Sequence, residues 1–265
     1  MKTLQQILLT ATAAILLTTG CSSEYSSNSS SDSAAPSAGQ GGSMARFTIA
    51  GDYMYTVDNS TLKMFDLSDP AQPLFLEGKT QELGQNIETI FNMDTLLFIG
   101  SQDGMYIYNI VRPQFPEYLA NVSHIRSCDP VVASGHYAYV TLNSAGTWCG
   151  NTVNGLFIYD ISNIKYPMEI YSSTQFNSPK GLGIDGDKLF VCEAIKGVQV
   201  FDVSNPAQPV WIDDLSYIPQ AKNINTYDVI PLNGLLITST DQGLLQFDYS
   251  GDKIRFVSKI TIQNQ

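Results

Sequence analysis

Charge is scarce in this chain. Only 15% of its 265 residues are Asp, Glu, Lys or Arg, and 14 basic residues stand against 25 acidic ones, a formal net charge of −11. So few cations cannot neutralise a run of phosphates, which argues against nucleic acid as a partner. Cysteine is almost absent: Cys21, Cys128, Cys149 and Cys192 are too few to build a disulfide scaffold of this size. Histidine is scarcer still. His124 and His136, with no Cys-x-x-Cys pair, make no zinc-binding pattern, and no cofactor motif is present. Long apolar runs are lacking as well. The eleven residues 7–17 (ILLTATAAILL) fall short of the ~20 that a helix needs to cross a bilayer, and no later run does better. What the chain does have is 43% hydrophobic and 11% aromatic residues, enough for a sizeable core and too apolar for disorder. Fourteen Tyr and twelve Phe beside so few charges favour β-structure.

The short apolar run suits a signal peptide, with Lys2 as its positive flank. Thr18-Thr19-Gly20-Cys21-Ser22 follows and resembles the lipobox of bacterial lipoproteins, in which Cys21 would be acylated and become the new N-terminus. The usual Leu three places before the Cys is Thr18 here, so the match is relaxed; an ordinary secretory signal is the plainer reading. Residues 22–43 are Ser/Gly/Ala-rich and cannot bury enough apolar surface to offset ordering. The expected plan is a signal peptide over residues 1–20, a flexible tether over 21–44 and a folded domain over 45–265. An acyl anchor and tether imply a domain held at a membrane surface. Ser22 resembles an outer-membrane sorting signal, which implies an outer-membrane lipoprotein, periplasmic-facing or cell-surface exposed.

From Ala45 onward one pattern recurs five times: LKMFDLSDPAQP, MYIYNIVRPQFP, LFIYDISNIKYP, VQVFDVSNPAQP and LLQFDYSGDKIR. The aligned residues Asp66, Asn109, Asp160, Asp202 and Asp248 are spaced 43, 51, 42 and 46 apart. Two short alternating runs precede each segment and one follows it. Four strands per repeat of this length define a propeller blade. Helical repeats are excluded, because β-branched and aromatic residues alternate with period two between frequent Gly/Pro/Asn/Asp turns. The fold expected is an all-β propeller of five blades, each with four antiparallel strands. In the Asp-x-Ser-Asp/Asn-Pro element, Asp and Ser cap backbone amides and Pro stops the strand.

These segments resemble the LVIVD-repeat family, most closely in VQVFDVSNPAQP and LKMFDLSDPAQP. The second copy departs with Asn109 and Arg112, and the last lacks the Pro after Gly251. The resemblance implies an extracytoplasmic propeller of Bacteroidetes type, often lipid-anchored, that serves in surface interactions. Within that frame the long 51-residue interval places Cys149 in a loop of the third blade, with Cys128 in the loop leading into the same blade. Both loops emerge on one face. A Cys128–Cys149 disulfide is therefore expected, with two separate thiols as the alternative. Cys192 alternates into a strand as apolar filling.

Aligning the blades sets Arg46, Glu88, Asp129, Lys180 and Asp228 at the starts of the innermost strands, a ring of charge at the channel mouth. Strand ends carry charges anyway; the sharper reading is a polar binding site. Trp148 stands beside it, either as a stacking platform for a sugar or peptide ring or packed on the disulfide. Two functions follow. The first is a non-catalytic, membrane-anchored binding module whose partner is a glycan, a peptide or another envelope protein. The alternative is a glycoside hydrolase using Glu88, Asp129 and Asp228, which would need two carboxylates about 5–9.5 Å apart. With every unit holding its own four strands, ring closure is expected from packing and hydrogen bonds between residues 46–50 and 227–248.

Overall fold

A computed structural model describes residues 41–123, 130–144, 153–194 and 196–262. The expected signal and acylated Cys21, most of the tether, Asp129, the Cys128–Cys149 pair and Trp148 lie outside the described residues. The rest is a β-propeller of five blades. Blade 1 holds β1 (Phe47–Ala50), β2 (Tyr53–Val57), β3 (Thr61–Asp66) and β4 (Leu74–Phe75), with β5 (Gln81–Glu82) also paired to β3. Blade 2 holds β6 (Ile87–Met93), β7 (Leu96–Ser101), β8 (Gly104–Asn109) and β9 (Glu117–Ser123). Blade 3 holds β10 (Val131–Ser134), β11 (Tyr137–Leu142), β12 (Gly155–Asp160) and β13 (Met168–Ser173). Blade 4 holds β14 (Pro179–Asp185), β15 (Lys188–Glu193), β16 (Val198–Asp202) and β17 (Val210–Asp214). Blade 5 holds β18 (Thr226–Leu232), β19 (Leu235–Thr240), β20 (Gly243–Asp248) and β21 (Arg255–Ile260). Neighbouring strands within a blade pair antiparallel, in chain order. The first strands β1, β6, β10, β14 and β18 pack in succession around the centre.

The repeated Asp/Asn is a turn-former, and its work is local. In each blade its Oδ1 accepts the backbone N–H two residues on: Ser68 at 2.8 Å, Val111 at 2.9 Å, Ser162 at 2.8 Å, Ser204 at 2.8 Å and Ser250 at 2.9 Å. This Asx turn reverses the chain between third and fourth strands. Hydrogen bonds from Ser68, Ser162, Ser204 and Ser250 hold the carboxyls of Asp66, Asp160, Asp202 and Asp248 below the ordinary carboxylate range.

Alternation on the third strands builds the core. Residues facing the next blade are fully buried in blades 1 to 4: Leu62 and Met64, Met105 and Ile107, Leu156 and Ile158, Val198 and Val200. Each set meets the neighbouring sheet, giving four apolar clusters between blades 1 and 2, 2 and 3, 3 and 4, and 4 and 5. Cys192 is a free thiol fully buried in the last of these, as the alternation of KLFVCE requires. Among the described residues no such cluster joins blade 5 to blade 1. The end faces are built for that. On blade 5 Leu244 is half-buried and Gln246 stands where the inner blades carry Ile, Val or Met. On blade 1 Thr56 and Lys63 look outward beside Phe47, which is 54% exposed. Polar terminal faces are how stacked repeats end.

The folded chain also begins earlier than Ala45. Gly42 and Ser43 are buried, Ser43 completely.

Candidate functional site

The start of the innermost strand is irregular in three blades. Pairing skips a position between Ile87 and Thr89, between Pro179 and Leu182, and between Thr226 and Asp228. A bulge leaves its extra residue unpaired and re-aims the side chain. The residues so released are Glu88, Lys180 with Gly181, and Tyr227. Glu88 accepts a 3.1 Å hydrogen bond from Gln102 Nε2. Lys180 Nζ lies 4.2 Å from the centre of the Tyr227 ring, a cation–π contact. Partial burial holds the Lys180 ammonium below the ordinary lysine range. Arg46 is exposed, and its carbonyl accepts the Val57 N–H at 2.9 Å.

Asp228 is partly buried and is held by the chain just upstream of β1. The Ser43 hydroxyl donates to its Oδ1 at 2.9 Å, and the Met44 N–H donates to its Oδ2 at 3.2 Å. The same hydroxyl accepts the Leu182 N–H of blade 4 at 2.8 Å, and Ala45 passes its carbonyl to the Ile90 N–H of blade 2 at 2.9 Å. Residues 42–45 therefore form a strap across the inner strands of blades 2, 4 and 5. Two glycines make the approach possible. A Cβ on Gly42 or on Gly181 would overlap the Asp228 carboxylate. Burial raises the Asp228 carboxyl above its ordinary value, and the hydrogen bonds from Ser43, Met44 and Val229 only partly oppose the shift.

The structure thus brings Asp228 against Gly181 and Lys180 against Tyr227, while Arg46 follows the strap and is exposed. Closure does use Asp228, within the expected region 227–248. Its partner, however, is Ser43–Met44, just upstream of residues 46–50. No local signal separates these residues from the Ser/Gly stretch before them; their significance comes from a partner 185 positions away. Two further carboxylates serve the loops around the mouth. Glu193 is buried and accepts the N–H groups of Asn177 and Ser178 at 2.5 and 3.2 Å, with Lys196 Nζ at 3.9 Å. Asp241 accepts the backbone and side-chain N–H of Asn225, both at 3.2 Å. Among the described residues no group of three His, Cys, Asp or Glu could hold a metal ion, and no helix is long and apolar enough to cross a membrane.

Five sheets of this kind, tied at the centre by the chain's own leading segment, define a repeat-built β-propeller. Three stretches of the chain, residues 41–78, 125–174 and 180–214, match the LVIVD repeat. The second and fifth units, where the turn departs from the pattern, fall outside the match. No curated protein matches the sequence. Among solved structures, a functionally unknown protein from Desulfotomaculum acetoxidans superposes with a TM-score of 0.67 at 12% identity, over 82% of this chain and 69% of that one. AztD from Citrobacter koseri gives 0.56 at 14%, over 78% of this chain and 59% of that. BamB from Moraxella catarrhalis gives 0.52 at 12%, over 81% and 60%. At such identities the likeness is one of fold, and these chains are longer than the five blades that match.

Proposed function

We propose that this protein is a non-catalytic binding module, anchored through acylated Cys21 at the outer membrane and displaying its propeller to a glycan, a peptide or another envelope protein. One observation carries this reading. Both carboxylate oxygens of Asp228 are bonded to Ser43 and Met44, so they hold the chain's own strap. A general acid or nucleophile needs an oxygen facing substrate. Lys180 over Tyr227 and the exposed Arg46 suit recognition of polar surfaces, and Glu88 is held in place by Gln102. A propeller of LVIVD repeats supports a binding or structural role in the same direction.

The test is a capture experiment with the intact chain against a glycan array and a detergent-solubilised envelope fraction. Glycosidase turnover is measured in parallel on the same glycans. The reading expects a defined glycan or protein to be retained, retention to fall in Lys180→Ala and Tyr227→Ala, and no turnover. Turnover lost in Glu88→Gln would overturn it in favour of the hydrolase.

A further inference from the structure

On the second strands, one position meets the preceding blade at the same distance from the hairpin in each repeat. Blades 2, 3 and 4 place Ile99, Val140 and Val191 there, paired with Ile90, Val131 and Leu182 of the first strand and buried in the apolar clusters. Blade 5 has Thr238 instead, paired with Val229 and only 1% exposed. Thr keeps the shape of Val but adds a hydroxyl, which is costly to bury without a partner. Among the described residues the Thr238 hydroxyl has no hydrogen-bond partner. It borders a cavity of about 10 Å³ between blades 4 and 5, lined also by Val198, Leu215, Ala221, Leu245 and Thr226. All of the lining residues are described and buried. A space of this size takes one water and no organic ligand. Thr226 Oγ1 is the other side-chain hydroxyl on the wall. It donates to the Gly197 carbonyl at 3.1 Å, with the Ala194 carbonyl at 3.3 Å. A hydroxyl oxygen has two lone pairs, so one is left to accept even beside the Cys192 thiol.

We propose that this cavity binds one ordered water, which accepts from the Thr238 hydroxyl and donates to Thr226 Oγ1. Two polar partners meet the minimum for a buried water. The water extends a bonded chain from β19 of blade 5 through Thr226 to the loop between β15 and β16 of blade 4. A polar link thus crosses an interface that is otherwise built from apolar side chains. The site uses none of the groups in the channel-mouth reading and stands or falls independently of it.

The test is oxygen-17 relaxation dispersion of water on the intact chain, which counts long-lived internal waters, with urea titration in parallel. Thr238→Val keeps the volume and restores the residue that blades 3 and 4 carry. It should hold one long-lived water fewer than the wild type. Its folded-to-unfolded ratio should fall about 3- to 10-fold, the effect of losing one hydrogen bond. Thr238→Ser, which keeps the hydroxyl, should keep the water. The proposal is overturned if Thr238→Val holds as many long-lived waters as the wild type, or if Thr238→Ser loses the water as well. It is equally overturned if the folded-to-unfolded ratio of Thr238→Val equals or exceeds that of the wild type, as removal of an unpaired buried hydroxyl would give.

Discussion

Ser43 is a small residue with an unusually large part in this fold, and replacing it by Ala measures that part. The hydroxyl is fully buried and makes two bonds at once, donating to Asp228 Oδ1 at 2.9 Å and accepting from the Leu182 N–H at 2.8 Å. Ser43→Ala removes a hydrogen bond to a carboxylate, worth about 1.5–3 kcal/mol, and orphans a buried amide at about 1–3 kcal/mol. Shared relaxation keeps the total below the sum, so about 3–4 kcal/mol is expected. For a domain of this size each kcal/mol moves Tm by about 2–4 °C, which puts the variant about 10 °C below the wild type. The control is Ser68→Ala. Ser68 Oγ also donates to a carboxylate, Asp66, at 2.5 Å, but on an exposed turn. Its loss should cost no more than about 0.5 kcal/mol. Urea titrations of the three proteins, followed by tryptophan fluorescence and far-ultraviolet circular dichroism, give the comparison. If Ser43→Ala and Ser68→Ala lose the same small amount, the strap is an ornament and the closure argument fails.

Other expectations follow from the same contacts. Leu156 and Leu244 occupy the same position in blades 3 and 5, the first fully buried and the second half-buried on the end face. Leu156→Ala should cost about 3–4 kcal/mol and Leu244→Ala under about 1.5 kcal/mol by chemical denaturation; equal losses would mean that blade 5 packs on blade 1 after all. The raised carboxyl of Asp228 gives a pH signature of definite sign. Because the folded state holds that proton to higher pH than the unfolded chain, this group adds stability as pH falls from neutral towards the ordinary carboxylate range. The stability of the wild type relative to Asp228→Asn should therefore rise between pH 7 and pH about 4.5; a fall would refute the assignment. Asp66, Asp160, Asp202 and Asp248 act in the opposite sense, since their depressed carboxyls contribute stability that is lost only at more acid pH.

What could be read in advance follows the range of the interactions. Asp66, Asp160, Asp202 and Asp248 bond to an amide two residues away, so their role as turn-formers is visible in any one copy of the repeat. Blade number is visible for a related reason: four strands recur at a fixed interval, and alternation along each strand marks which side is buried. Cys192 was legible through that alternation alone. The mouth was legible only in part. Alignment found Glu88, Lys180 and Asp228 at the strand starts but could not show the bulges at those starts. Those bulges release Glu88 and Lys180 to the mouth, bring Tyr227 beneath Lys180 and leave Asp228 with its oxygens on the strap.

The same contrast explains why the partner of Asp228 lies upstream of residues 46–50, although the signs of an open seam were present in the sequence. Gln246 breaks the apolar series of the third strands, and Thr56 and Lys63 break it at the other end, so each end of the array announces that no tight sheet-on-sheet packing follows. Where the described residues show neither strand exchange nor an apolar seam between blades 5 and 1, the ring must be joined by something else. The residues able to do it are those whose first neighbour is the start of β1, at the centre of the ring. Gly-Gly-Ser looks like tether by composition, yet its lack of side-chain bulk is what the crowded space between Asp228 and Gly181 demands. Composition identifies such a segment as unable to fold alone; only the distant carboxylate makes it part of the fold.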